Sequence, residues 1–386
     1  MFHFDEEFYL ANNPDVAQAV ARDEWPSGYT HWCVNGRARG RAAAPAIDID
    51  WYLSAYPAAA LEIAEGAFSS VAEHYFCCGR YRGYLPDARA RRPANPAAFH
   101  SRFGGLWTDA GNALDVVAGR RELGQIDDAQ AERLRDWIGN GSVILSNAIS
   151  ADVLHPAEMA LHKIFEGEVR PMRFSHEGAR ALDPHWHSAA IRSLIFAEPV
   201  LAFLQLIFER PVLASQSWGS WRGARRAVGQ DAADRAFSLP LQFAGAYFAL
   251  EDISGEDGLS SLPGSHRFPD FRYGHRFKSV SEARRIQPQI DASADQGRHQ
   301  QLVERQASGL ELVSKPWALH RGDIVVWSAD LAWAEGFGPQ QSHKSVGVYF
   351  CPAEVVPDYF ETEAPAERRR HSRTAFYSSG TYLETR

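Results

Sequence analysis

The chain has 386 residues, 45% of them apolar and 23% charged, and a formal net charge of −8. That length holds two or three domains with a sizeable buried core, and the acidic balance argues against the basic face of a nucleic-acid binder. Cys33, Cys77, Cys78 and Cys351 are too few and too irregularly spaced for a disulfide framework or a zinc site.

The opening MFHFDEEFYL carries no basic leader followed by an apolar run, so no secretory signal is expected. The most apolar region, SLIFAEPVLAFLQLIF, is broken by Glu198 and Pro199 and is not expected to span a bilayer. A cytoplasmic location follows as the expectation. The arginine clusters Arg89–Arg92 and Arg368–Arg370 read as solvated segments first and as anionic-surface contacts second.

Residues 1–84 contain an internal repeat. FYLANNP recurs as WYLSAYP and HWCVNGRARGR as HYFCCGRYRGY, at a constant offset of 43. Tyr9 therefore pairs with Tyr52, Pro14 with Pro57, His31 with His74, Gly36 with Gly79 and Gly40 with Gly83. Each unit reads as three short helices, and each histidine reads as a packed, hydrogen-bonded core residue rather than a ligand. The repeats resemble a short module that accompanies bacterial glycosyltransferases and other surface-polysaccharide proteins. That resemblance implies a protein partner in glycan assembly, reached through residues 1–84.

Residues 85–120, rich in Pro, Arg, Gly and Ala, read as a linker with one short packed segment. Residues 121–386 form the main domain. Asp127 or Asp128 is placed to cap an amphipathic helix with Leu134, Trp137 and Ile138 facing inward, and Gly139 or Gly141 to end it. SVILSN then reads as a strand, SADVLHPAEMALHKIFE as a helix, and SAAIRSLIFAEPVLAFLQLIFE as two helices split at Pro199. Past residue 210, PVLASQSW, FAGAYFAL, DIVVWSADL and KSVGVYFCP are short aromatic and β-branched runs bounded by turns. The expected class is α+β: a double-stranded β-helix, or jelly-roll barrel, flanked by helices and preceded by a small all-α repeat region.

The blocks AVGQDA, FALEDISGEDGLSSLPGSHR and HRGDIVVWSADLAWAEGFGPQQSHKSVGVYFCP resemble, in order and spacing, the phytanoyl-CoA dioxygenase-like family of Fe(II)/2-oxoglutarate oxygenases. The resemblance runs over residues 130–352, and it includes DPHWHSAAIRSLI, which makes His185 and His187 structural. It implies a His-x-Asp…His triad on one face of ferrous iron, with a basic residue pairing the far carboxylate of 2-oxoglutarate. Here the first histidine position holds Gly229, the carboxylate position Asp231, the second histidine position Trp333 and the anchor position Lys344. Glycine offers no ligand, and an indole N–H only donates. Asp231 is then the one surviving family ligand. It is either a hydrogen-bonded loop carboxylate, paired with Arg225, Arg226 or Arg235, or a ligand contact or general base.

Gln230, Tyr247, His266, Trp333, Lys344 and Ser345 are the pocket residues that the resemblance implies. The reading is a degenerate oxygenase with no resident cofactor, serving as a binding or scaffold component of bacterial surface-polysaccharide biosynthesis. A small-molecule or glycan ligand fits that reading, with no nucleic acid and no membrane span. Two alternatives stay open. One is an active hydroxylase using Fe(II) and 2-oxoglutarate with relocated ligands, His266, His320 and His343 being the candidates. The other is a non-oxidative enzyme acting on a sugar or acyl group through Asp231 and Lys344.

Overall fold

A computed structural model describes residues 6–379, apart from 23, 26, 67, 69, 78–83, 89–98, 176–179, 224, 254–257, 275–276, 288, 290, 339–340 and 358–367. Cys78, Gly79, Gly83, the Arg89–Arg92 cluster and part of the acidic turn after residue 253 thus lie outside the described residues. The chain divides into two units, 1–102 and 103–386.

In the first unit, α1 (Glu6–Asn12), α2 (Pro14–Ala21) and α3 (Gly28–His31) precede α4 (Ile49–Ala55), α5 (Pro57–Ala64) and α6 (Val71–Cys77). Proline opens α2 and α5, where its missing N–H leaves nothing unpaired. The buried Tyr9 hydroxyl meets His31 Nδ1 at 2.9 Å, and the buried Tyr52 hydroxyl meets His74 Nδ1 at 2.9 Å. The same pair thus recurs at the offset of the sequence repeat. His74 Nε2 also donates to Glu62, which fixes its tautomer so that Nδ1 accepts from tyrosine.

The second unit begins earlier than the linker expectation places it. Leu106, Ala113 and Val117 are buried in its main core, and α7 (Ala113–Glu122) packs against α8 (Asp128–Asn140). Burial of these apolar side chains outweighs the Gly- and Ala-rich composition that reads as linker. Asp127 caps α8: its carboxylate accepts from the Gln130 amide at 2.7 Å, and the Gln130 side chain accepts from the Asp127 amide. Gly141, in the left-handed region at φ 78, ends it. Next come β1 (Ser142–Leu145), α9 (Ala151–Phe165), β2 (Arg173–Phe174), β3 (Arg180–Leu182), α10 (Pro184–His187), α11 (Ala189–Ile195) and α12 (Glu198–Phe208).

No single helix among the described residues is long and apolar enough to cross a membrane. The bent pair α11–α12 has the composition, but its Ile191, Leu194, Val200, Phe203 and Leu204 are spent on the core.

The barrel follows: β4 (Val212–Arg222), β5 (Arg225–Gln230), the one-turn α13 (Asp231–Asp234), β6 (Ala244–Ala249), β7 (Leu259–Ser261), α14 (Val280–Ile286), α15 (Ala292–Gly309), β8 (Lys315–Pro316), β9 (Ile324–Ser328), β10 (Ala332–Gly336) and β11 (Ser342–Pro352). A hairpin, β12 (Arg368–Arg370) and β13 (Ala375–Ser378), lies at the edge. The large sheet runs β1-β9-β6-β11-β4-β13-β12, with β3 also on β4, and the small sheet runs β5-β10-β7-β8. The eight strands from β4 to β11 thus pass between two sheets, pairing antiparallel with one another as in a double-stranded β-helix.

Alternation along β11 separates two cores. Val346, Val348 and Phe350 face the helices, whereas Tyr349 and Cys351 face the barrel interior with Tyr247, Trp327 and Trp333. Two glycines give the interior its shape. A Cβ on Gly245 would come within 2.2 Å of the Trp327 indole, and one on Gly347 within 2.1 Å of Trp218. Both indoles lie flat on the sheet because those strands carry no side chain there.

Candidate functional site

β5 runs directly into α13, so Asp231 is the first helical residue after the strand. Gly229 is the cross-strand partner of Trp333 on β10, and Gln230 that of Ala332. The ladder therefore brings positions 229, 231 and 333 together. Between that pair and the Arg226–Glu335 pair, β5 uses three steps to the two of β10, a bulge of one extra residue. Without it, Arg226 would point to the opposite face from Gly229. With it, the Arg226 guanidinium comes back alongside, 3.7 Å from where a Gly229 Cβ would stand.

Asp231 is 1% exposed. Its Oδ1 accepts from Arg226 Nη2 at 2.8 Å and from the Tyr349 hydroxyl at 3.0 Å. Its Oδ2 accepts from Trp327 Nε1 at 2.7 Å and from Trp333 Nε1 at 3.0 Å. A carboxylate has about four lone-pair positions, and all are used. The Arg226 guanidinium also lies 4.1 Å from the Trp333 ring centroid, against its π face, and 3.9 Å from Asp234. The charge of Asp231 is thus neutralised by a cation from the strand that leads into α13. Burial and the Asp231 charge push the Tyr349 hydroxyl well above the usual tyrosine range, so it stays a donor.

The donor set does not fit ferrous iron. The N–H and O–H donors aimed at Asp231 occupy its lone pairs, and glycine contributes no ligand. Among the described residues there is no group of three His, Cys, Asp or Glu side chains that could hold a metal ion. The relocated candidates are engaged elsewhere. His266 Nε2 donates to the Ile138 carbonyl at 3.1 Å, His343 Nε2 meets the Tyr247 hydroxyl, and the His320 side chain is exposed.

Two expected pocket residues need correction. Lys344 does not face the barrel: its ammonium pairs with Glu158 of α9 at 2.8 Å and lies 4.9 Å from the Trp221 ring centroid. Burial would raise the Glu158 carboxyl, but Lys344 and Arg321 together hold it below its usual value. The inward residues are Ser345 and His343, the reverse of the phase that a Lys344 anchor requires, and neighbouring residues of a strand cannot share a face. His343 stacks on Phe337 with centroids 3.5 Å apart, and burial, then Arg180, pushes its imidazole down to about 3. The neutral ring cannot serve as the missing cation. His266, the second correction, is wedged between α8 and Gly141, where it packs the helix against the barrel. The Asp231–Lys344 pair of a non-oxidative enzyme is therefore not assembled.

Gln230 instead opens a buried chain of hydrogen bonds. Its Nε2 donates to the Asp330 carbonyl at 2.6 Å, and its Oε1 accepts from His299 Nε2 at 2.8 Å. His299 Nδ1 in turn accepts from the Tyr273 hydroxyl at 2.9 Å. Lys278, buried, bridges Asp330 at 2.6 Å and Asp270 at 3.2 Å. These contacts tie α15 and the segment before α14 to the mouth of the site. Sequence reading missed Trp327 and Tyr349. Counting inward from Ser345 in steps of two would have found Tyr349; nothing local marks Trp327.

No family model and no curated protein matches the chain. Solved structures do. The non-heme alpha-ketoglutarate-dependent epimerase SnoN from nogalamycin biosynthesis is 14% identical with a TM-score of 0.47, covering 65% of this chain and 98% of SnoN. EctD from S. alaskensis, with 2-oxoglutarate and 5-hydroxyectoine, is 13% identical with a TM-score of 0.47, covering 64% and 86%. AviO1 from Streptomyces viridochromogenes Tue57 is 16% identical with a TM-score of 0.40, covering 58% and 96%.

Proposed function

We propose that residues 103–386 form a degenerate phytanoyl-CoA dioxygenase-like protein that works by binding rather than by oxygen chemistry. One observation carries this reading: Asp231, at the position of the family's carboxylate ligand, is saturated by Arg226, Tyr349, Trp327 and Trp333. The guanidinium supplies the positive charge that a metal would supply, and it is covalently part of the chain. The order of the sequence blocks supports descent from the family, and Gly229 and Trp333 support loss of its two imidazoles.

The setting is a binding or scaffold role in bacterial surface-polysaccharide assembly. The repeats support it by their resemblance, with residues 1–84 as the surface for a protein partner. Ile49 and Leu61 are exposed apolar side chains there.

The test is turnover. Protein incubated with Fe(II), ascorbate and 2-oxoglutarate in air should release no succinate above a protein-free control. Succinate release that disappears in Asp231→Ala would overturn the reading.

A further inference from the structure

A second polar group of side chains crosses the same barrel interior beside the Asp231 cluster, with Glu335 opposite Arg226 on the β5–β10 ladder. Arg180 on β3 is opposite Ser220 on β4, and Ser220 is opposite Ser345 on β11. Directly paired residues share a sheet face, and Trp218, two residues before Ser220, shares it too. From the small sheet, Glu335 reaches across to pair with Arg180 through Oε2. Five buried polar atoms in this row lack a protein hydrogen-bond partner among the described residues: Arg180 Nε, Trp218 Nε1, Ser220 Oγ, Ser345 Oγ and Glu335 Oε1. Ser220, Ser345 and Glu335 are 1%, 0% and 2% exposed, while the Arg180 side chain is 24% exposed and forms the edge of the row. Native proteins rarely leave so many buried polar atoms unpaired in one place, and a bound polar molecule is one reason they do.

We infer that this row is a binding site for a neutral polyhydroxylated molecule. The chemistry of the unpaired atoms sets the class. Two N–H groups ask for acceptors, a carboxylate oxygen asks for a donor, and two serine hydroxyls take either role. An array of hydroxyls offers donors and acceptors together. Charge excludes a dicarboxylate: Arg180 is already neutralised by Glu335, and any anion placed here would face that buried carboxylate. Burial pushes the Glu335 carboxyl up, against the pull of Arg180 and Arg226.

The inference deepens the binding reading by naming a ligand class and a place for it, yet its test is separate from iron. Titrate the full chain with D-glucose, D-galactose and myo-inositol, and in parallel with 2-oxoglutarate. Follow tryptophan fluorescence and thermal midpoint in wild type and in the Ser220→Ala/Ser345→Ala double variant. At least one polyol should give a saturable response in wild type that weakens by about tenfold or more in the variant, while the variant itself melts no lower than wild type because two unpaired hydroxyls have been removed. Saturation separates binding from the general stabilising effect of concentrated polyols. A response that does not saturate, that is equal in the variant, or that appears with 2-oxoglutarate alone overturns the inference. Succinate turnover, measured on the same sample, would instead overturn the proposed function and leave the polyol result standing.

Discussion

At the scale of single residues, Asp231 is held by four donors and Arg226 by one buried carboxylate and one indole face. Removing Arg226 leaves the Asp231 charge buried among neutral donors, and removing Asp231 takes from Arg226 the carboxylate within hydrogen-bond reach. Asp231→Ala should therefore lower unfolding stability by about 3–5 kcal/mol, read as the urea midpoint of the purified chain. A loss under about 1 kcal/mol would mean that the cluster is not a structural unit. A double-mutant cycle of Arg226→Met with Asp231→Leu should give a coupling energy of about 1–3 kcal/mol, because replacing both charges removes the desolvation cost that each single change exposes. Gly245→Ala and Gly347→Ala each drive a methyl group into an indole at 2.2 and 2.1 Å. Each should cost about 1–3 kcal/mol by overpacking, with the near-ultraviolet dichroism of Trp327 or Trp218 altered. Ala at Gly229 meets nothing closer than 3.7 Å and should be tolerated, so loss of a side chain there is not imposed by space.

At the scale of elements, α15 and β11 each carry a buried neutral histidine. Burial, with Lys278 nearby, pushes His299 down to about 3, and burial with Arg180 does the same to His343. In the unfolded chain both titrate near 6.5, so between about pH 6.5 and 3 the unfolded state takes up protons that the folded state refuses. The stability they confer is complete above about pH 6.5 and falls on acidification, by about 1.4 kcal/mol per pH unit for each histidine. Glu335, held up by burial, pulls the other way. Urea unfolding at a series of pH values from 7.5 to 5 should show this fall, and His299→Gln should flatten part of it. Stability that rises on acidification would contradict the neutral assignments.

The elements also show what could be read ahead of the structure. The large-sheet strands β4, β6, β9 and β11 are visible as aromatic and β-branched runs, and the start of α8 as Asp127 or Asp128 ahead of an amphipathic run, because these signals are local. The phase of β11 was not: a register shift between Ser342 and Ser345 sets which residues turn inward, and it leaves no mark in composition. The same holds for the β5 bulge that returns Arg226 to Asp231. Arg180 meets Glu335 across 155 residues of chain, and His299 meets Gln230 across 69. Such pairings come from the path of the chain over the barrel, which no short window of sequence contains.

For the molecule as a whole, a jelly roll keeps its interior at a fixed distance between two sheets, and that interior must be filled or bind something. Here the half around Asp231 is filled: indoles, a phenol and a guanidinium close on the carboxylate. The half around Ser345 carries the unpaired polar atoms. The repeat unit, 1–102, brings its own buried Tyr–His pairs and exposed apolar side chains, consistent with a part that folds on its own core and offers a surface outward. The claim on which the whole reading turns is that Arg226 stands where a metal would. Anaerobic titration of the metal-stripped full chain with Fe(II), with bound iron counted after desalting, tests it most directly. Far less than one equivalent should remain bound, the same in wild type and in Asp231→Asn. One equivalent held by wild type and lost in Asp231→Asn would contradict it.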